Sequence, residues 1–374
     1  MSIERQIAFW VVAFIALALL LQCLGGAVTP FALGIALGYL LDPIVQRLER
    51  FGLNRLGASI VILVVFIFAL ALVLVAVAPI LSGQLVGFTQ RLPGYVERLQ
   101  ALAVDQGNSL LDKYGGPWRE KFGLANPLSS EEIQKSIGDL VTQAGQWILN
   151  ALRSLASGGA ALFSFLSFLI FTPVVAFYML LDWDKMVSAI DGWLPLDHRE
   201  GLRQIAREIN HALAGFVRGQ SLVCLFLGLW YGIGLTIIGL DFGLLIGVIG
   251  GLLSFIPYVG SLSVLVLSLG VAIVQGWPSW NLFLLALAVV GIGQFLEGNV
   301  LSPKLVGESI GLHPVWLMFA LVAFGALFGF TGLLIAVPTS AAIGVLARHL
   351  LILYLASPFY RGRGEAQVRA GEVL

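Results

Sequence analysis

Charge is what this sequence lacks most: 11% of its 374 residues are Asp, Glu, Lys or Arg, less than half of the roughly 25% found in soluble domains. The 21 basic and 21 acidic residues cancel, and there is no lysine-arginine run, so nucleic acid is not an expected partner. The two cysteines, Cys23 and Cys224, sit inside apolar runs, where they read as small buried hydrophobes and carry no information on redox compartment. No Cys/His cluster, Walker A, HExxH or GxSxG motif is present, which argues against a metal site, ATP-driven transport by this chain alone and the common membrane hydrolase chemistries. Neither an enzyme nor a cofactor is expected. The ten-residue alternation of a membrane β-barrel is absent as well.

What the chain has instead is apolar surface. Hydrophobic residues make up 59% and the mean hydropathy is +0.95. A soluble fold of this length leaves about a quarter of its unfolded surface in water, so this composition implies that the bilayer is the main solvent. Backbone in hydrocarbon must satisfy its own hydrogen bonds, which makes the long apolar runs helices. The predicted class is an all-α polytopic membrane protein of about eight transmembrane helices, with interrupted or re-entrant hairpins and an amphipathic helical insert.

Two runs, 59–81 and 159–181, exceed the roughly 20 residues that span a bilayer. Ile7 to Leu24 is nearly as long and resembles a retained helix more than a secretory signal. Val28 to Leu41 is shorter and is expected to hairpin with it at Gly25-Gly26. Residues 1–81 are thus read as N-terminal transmembrane helices.

Residues 82–158 have ordinary polarity, with seven basic and seven acidic residues, and are read as a water-exposed insert. Within it, Ser129 to Glu132 resembles a capping box, and Ile133, Ile137, Leu140, Val141, Ala144, Trp147 or Ile148, and Leu152 keep helical spacing. After the 159–181 span comes a cytoplasmic amphipathic segment, 182–218, whose stripe is Leu202, Ile205, Ile209, Leu213 and Phe216. Residues 219–352 form a C-terminal transmembrane core of shorter apolar runs, and 353–374 a cytoplasmic tail. Basic residues follow the second, fourth and last runs (Arg47, Arg50 and Arg55; Lys185 through Arg218; Arg348, Arg361 and Arg363), which places those loops and both termini in the cytoplasm.

Several features in the core interrupt helices. In FIPYVG, 255–260, Pro257 removes a helical N–H and Gly260 lets the backbone turn. This is either a tight turn between spans or an unwound segment whose carbonyls line a pathway. The stretch EGNVLSPKLVGESIGLHP, 297–314, gathers two carboxylates, a lysine, an asparagine, a histidine, two prolines and three glycines between apolar runs. Charges at mid-bilayer cost about 2.5 to 3.5 kcal/mol each on insertion scales, so Glu297 and Asn299 face water or a cavity. Pro303 and Gly307 argue against continuous helix, and Pro314 suits a first turn. An ordinary cytoplasmic loop is the alternative, but the interleaved Val300, Leu301, Leu305, Val306, Ile310 and Leu312 predict a packed or re-entrant segment. Gln294 lies one turn before Glu297 on nearly the same face. Lys304 and His313 complete the polar set, and His313 is either a structural hydrogen-bonder or a group that titrates near neutral pH. Asp241, at a junction of apolar runs, and Arg218, at the start of one, are further candidates, with interfacial snorkelling the alternative for the arginine. Asp182-Trp-Asp184 spells a DxD, but at a helix end, where solvated acids are common.

PFALGIALGYLLDPIV at 30–45, FYMLLDWD at 177–184, FIPYVG, the 297–314 stretch and FGFTGLLIAVP at 328–338 together resemble the autoinducer-2 exporter family of bacterial permeases, over nearly the whole chain. The resemblance implies an inner-membrane protein of about eight spans and a homo-oligomer, expected to be a pentamer. Its members have been assigned autoinducer-2 export or sodium/proton exchange. It also marks Pro257, Tyr258, Gly260, Glu297, Asn299, Pro303, Gly307 and Pro314 as signature positions. The expected function is secondary transport of a small polar solute. A cation/proton antiporter is the first alternative, and a membrane scaffold, which needs no polar break in its core, the second. A small molecule or ion and membrane lipid are the expected partners.

Overall fold

The structure, a computed structural model, describes residues 25–122, 143, 158–306, 313–356 and 360. The run Ile7 to Leu24, the capping box at 129–132, nearly all of the helix expected at 133–152, Gly307 and most of the 353–374 tail lie outside the described residues. Among those described there is no strand, and six helices are long and apolar enough to cross a membrane. The all-α polytopic class is therefore observed.

The elements run in chain order as α1 (Gly25–Arg50), α2 (Arg55–Phe122), α3 (Gly158–Gly192), α4 (Arg199–Ile237), α5 (Gly243–Leu253), α6 (Val259–Gly276), α7 (Asn281–Leu296), a π-helix (Glu297–Val306) and α8 (Pro314–Ala356). Val28 to Leu41, short as an apolar run, is embedded in the 26 residues of α1, which carries Pro30 and Pro43 inside it. The backbone of α2 runs 68 residues without interruption, so the fall in hydropathy after residue 81 is not a break in the helix. The 159–181 run lies within α3. Pro314 opens α8, where its missing N–H costs nothing. Within α8 the chain kinks at Gly329, which has a positive φ of 59°, the glycine-rich position of GFTG.

The chain divides into two compact units, one of residues 1–66, 166–222 and 299–374, the other of 67–165 and 223–298. In the first, Leu41, Val45, Ala58 and Leu180 form a buried cluster, with Leu37, Ile62, Leu63 and Phe66 packed against it. Gly34 and Gly38, one turn apart on α1, leave room for Val175 and Met179 of α3. Thr172 donates to the Pro30 carbonyl at 3.3 Å, and Thr29 and Thr331 share a 2.6 Å hydroxyl bond. Such small and hydroxylated residues are what helices use to associate where apolar surface alone gives no advantage over lipid.

In the second unit the same device is stronger. Gly228 and Gly232 of α4 face Gly251 and Gly247 of α5, backbone against backbone. A helix of 11 residues rises only about 16 Å, roughly half the hydrocarbon thickness, and α5 ends at the FIPYVG break. Asp241 fixes the turn before α5. Its carboxylate accepts from Arg91 at 2.9 Å and Tyr95 at 3.0 Å, and its N–H donates to Gln275 at 2.8 Å. Arg91 also lies over the Phe242 ring, 5.9 Å from its centre.

Candidate functional site

The break between α5 and α6 is local and largely satisfied. The N–H groups of Phe255 and Ile256 reach back three residues to Leu252 and Leu253, and that of Val259 to Ile256. Pro257 has no N–H to place. The left-handed turn falls on Tyr258, with φ at 69°, and not on Gly260, where the sequence suggested it. Gly260 is buried in the first turn of α6, and a Cβ there would overlap the backbone of Ser254. Its glycine is required by close approach, not by φ. Ser254 itself is buried and donates to the Gly250 carbonyl at 2.8 Å. The sequence thus located the break correctly but not the residue that turns it.

Glu297 follows directly on α7. Its carboxylate is half-buried and accepts from the Ser261 hydroxyl of α6 at 3.2 Å. The Gln294 amide, one turn earlier, donates to the Tyr231 hydroxyl at 3.0 Å and approaches the Glu297 carboxylate at 3.5 Å. Tyr231, on α4, is fully buried, and its ring fills the space that a side chain at position 293 would need. Three helices therefore converge on one polar group: Tyr231 from α4, Ser261 from α6, and Gln294 with Glu297 from α7 and its continuation. Among the described residues no lysine, arginine or histidine lies within ion-pair distance of Glu297. A carboxylate flanked by hydroxyls and an amide can take up a proton or a small cation.

The sequence paired Gln294 with Glu297 on one face, and the structure brings them together. It did not find Tyr231 or Ser261. The available signals were weak: a hydroxyl inside an apolar run, and a glycine at 293 opposite a large ring. Pro257 and Tyr258 are at the break, Tyr258 with its side chain exposed. Beyond Glu297 the described helix continues to Val306 and α8 begins at Pro314. The backbone from Glu297 widens into π geometry for 10 residues with Pro303 inside, a rare conformation concentrated at functional sites. Asn299, Pro303 and Lys304 are exposed along it, and His313 and Pro314 are exposed at the start of α8. This part of the stretch is nevertheless packed, as its apolar residues implied: Val306 is buried, and Gly219 of α4 has room for nothing larger because the Leu305 carbonyl lies against it.

A second polar cluster stands in the first unit. Arg55 donates to the Leu180 carbonyl at 2.8 Å and pairs with Asp184. Arg218 donates to the Tyr39 carbonyl at 2.9 Å, and both arginines approach Asp42 at 3.9 Å. The Tyr39 hydroxyl donates to Asn210 at 3.0 Å. Arg218 thus braces α4 against α1. Asp182 and Asp184 of the DxD pair with Lys185 and Arg55, and among the described residues no group of three or more His, Cys, Asp or Glu is placed to hold a metal. Near the end of α3, Asp191 bonds Arg203 at 2.7 Å and Arg199 at 2.6 Å, and these guanidiniums hold its carboxyl well below the usual carboxylate range.

Short and interrupted helices around a half-buried carboxylate, beside helices long and apolar enough to span a bilayer, define a polytopic membrane protein. A family model described as AI-2E family transporter matches residues 7–352, and the chain belongs to that family. It is 28% identical over 326 residues to the "Putative transport protein YrrI" of Bacillus subtilis, covering 86% of each chain. It is 30% identical over 318 residues to the "Putative transport protein YueF" of the same organism, covering 84% of this chain and 81% of the relative. To the "Putative permease PerM" of Escherichia coli K12 it is 29% identical over 324 residues, covering 85% and 86%.

Proposed function

We propose that this chain is a secondary transporter that exports a small polar solute, an autoinducer-2-like signal or metabolite, across the bacterial inner membrane, with both termini cytoplasmic and several copies assembled together. The observation that carries this reading is the Glu297 cluster. A membrane scaffold gains nothing from a half-buried carboxylate on an apolar span, because each such charge opposes insertion. A transporter needs one, as a group whose charge state or ligand changes through the cycle. Glu297 is the coupling site, Ser261 and Gln294 position its carboxylate, and the Tyr258 break and the π-helix supply the backbone that rearranges.

Cation/proton exchange is the second reading, favoured by the same lack of a cationic partner beside Glu297. Reconstituted vesicles separate the two. Export predicts that autoinducer-2 loaded inside leaves faster with the protein than without it, whereas antiport predicts a change in internal pH on adding sodium or potassium and no effect on the solute.

A further inference from the structure

Away from the Glu297 cluster, the N-terminal half of α4 and the C-terminal part of α8 enclose an open groove of about 680 Å³, lined by Gln204, Arg207, Glu208, His211, Val345 and Arg348. Its charges are arranged unequally. Glu208, the acid in the lining, is turned to neighbours: it accepts from Gln204 at 3.2 Å and lies 3.7 Å from His349. The other nitrogen of His349 faces the Val345 carbonyl at 3.1 Å. Arg207 is bonded to Glu200 at 2.7 Å, a pair that stays exposed. Arg348 is exposed and has no carboxylate within ion-pair distance among the described residues, and His211 is exposed beside it. The groove therefore presents the guanidinium of Arg348, a second guanidinium, Arg207, held in an exposed pair with Glu200, and an imidazole, while the carboxylate of its own lining is already engaged.

The surroundings decide what anion fits. Arg348 directly follows the apolar run 332–347, and Leu351 and Ile352, one turn further along its own face of α8, are uncovered. A soluble anion would leave this rim in water. A phospholipid places its phosphodiester on the arginines and its acyl chains along the rim, and basic groups just cytoplasmic of a span are where anionic headgroups collect.

We propose that this groove binds the phosphodiester headgroup of an anionic membrane phospholipid, held by Arg348 and Arg207, with His211 and Gln204 donating from the flank. The site is independent of the transport reading, since none of its residues belongs to the Glu297 cluster.

The test uses the full chain in nanodiscs of equal phosphatidylglycerol and phosphatidylcholine, with retained lipid counted by native mass spectrometry. The wild type should retain phosphatidylglycerol in preference. One basic side chain near an anionic surface is worth roughly fivefold in partition, so the Arg207→Gln, Arg348→Gln pair should reduce retention by about twenty- to thirtyfold while phosphatidylcholine is unchanged. Should the pair fail to fold, Arg348→Gln alone, at an exposed position, should lose about fivefold. Equal retention of the two lipids by the wild type, or full retention by the variants, overturns the proposal. So does displacement of phosphatidylglycerol by millimolar inorganic phosphate, which would make the groove a site for a free anion.

Discussion

Replacing Gly247 with alanine adds one methyl group at the tightest kind of contact in the second unit. The new Cβ falls 2.6 Å from the Tyr231 carbonyl carbon and closer still to the Gly232 backbone. Carbon atoms pack at about 3.5–4.0 Å, so α4 and α5 must separate by roughly 1 Å. A flexible side chain could swing aside, but these neighbours are backbone. Overpacking costs about 1–3 kcal/mol, and the rigid partner puts this change toward the upper end. Alanine recovers about 1 kcal/mol of helix propensity over glycine, which leaves a net loss of roughly 1–2 kcal/mol. Gly270→Ala is the matched control: it lies within α6, and its Cβ meets nothing within 4 Å, so only the propensity gain of about 1 kcal/mol remains. Thermal unfolding midpoints of the two variants in one detergent should fall on opposite sides of the wild type. If Gly247→Ala melts with or above Gly270→Ala, the close crossing of α4 and α5 is wrong.

Other outcomes follow from the polar contacts. Tyr231→Phe removes the hydroxyl that accepts from Gln294, and a double-mutant cycle with Gln294→Ala should give a coupling of about 1 kcal/mol; a coupling of zero refutes the contact. Asp191 is depressed by Arg203 and Arg199, so its contribution is complete above the ordinary carboxylate pKa of about 3.9 and is lost as pH falls below it. Asp191→Asn should therefore lower the unfolding midpoint at neutral pH and flatten the decline that the wild type shows on acidification past about pH 4; parallel pH profiles for the two proteins count against the tether.

Much of the fold was legible because membrane helices announce themselves by length and hydropathy, and helix breaks by proline and glycine. FIPYVG and Pro314 were found on those grounds. Conformation within the breaks was not, since it depends on partners distant in sequence: Gly260 is a glycine because Ser254 lies against it, and that leaves Tyr258 to take the positive φ. Pro303 marks a departure from α geometry, but proline alone does not say that the helix widens there. At the site, periodicity paired Gln294 with Glu297, two residues on one helix. Tyr231 and Ser261 arrive from α4 and α6, and no local pattern connects residues 63 or 36 positions apart. The Arg55 and Arg218 brace was hidden for the same reason, each arginine resembling an ordinary helix flank.

On the proposed function, Glu297 does work in transport that a neutral isostere cannot do. Untargeted metabolite profiles of cells, and of their medium, should be compared for the wild type, Glu297→Gln at matched membrane abundance, and cells without the chain. Export through Glu297 predicts a solute that the wild type lowers inside and raises outside, and that Glu297→Gln leaves at the level of cells lacking the protein. A variant that shifts the same solute as far as the wild type, or a wild type that shifts none, contradicts it.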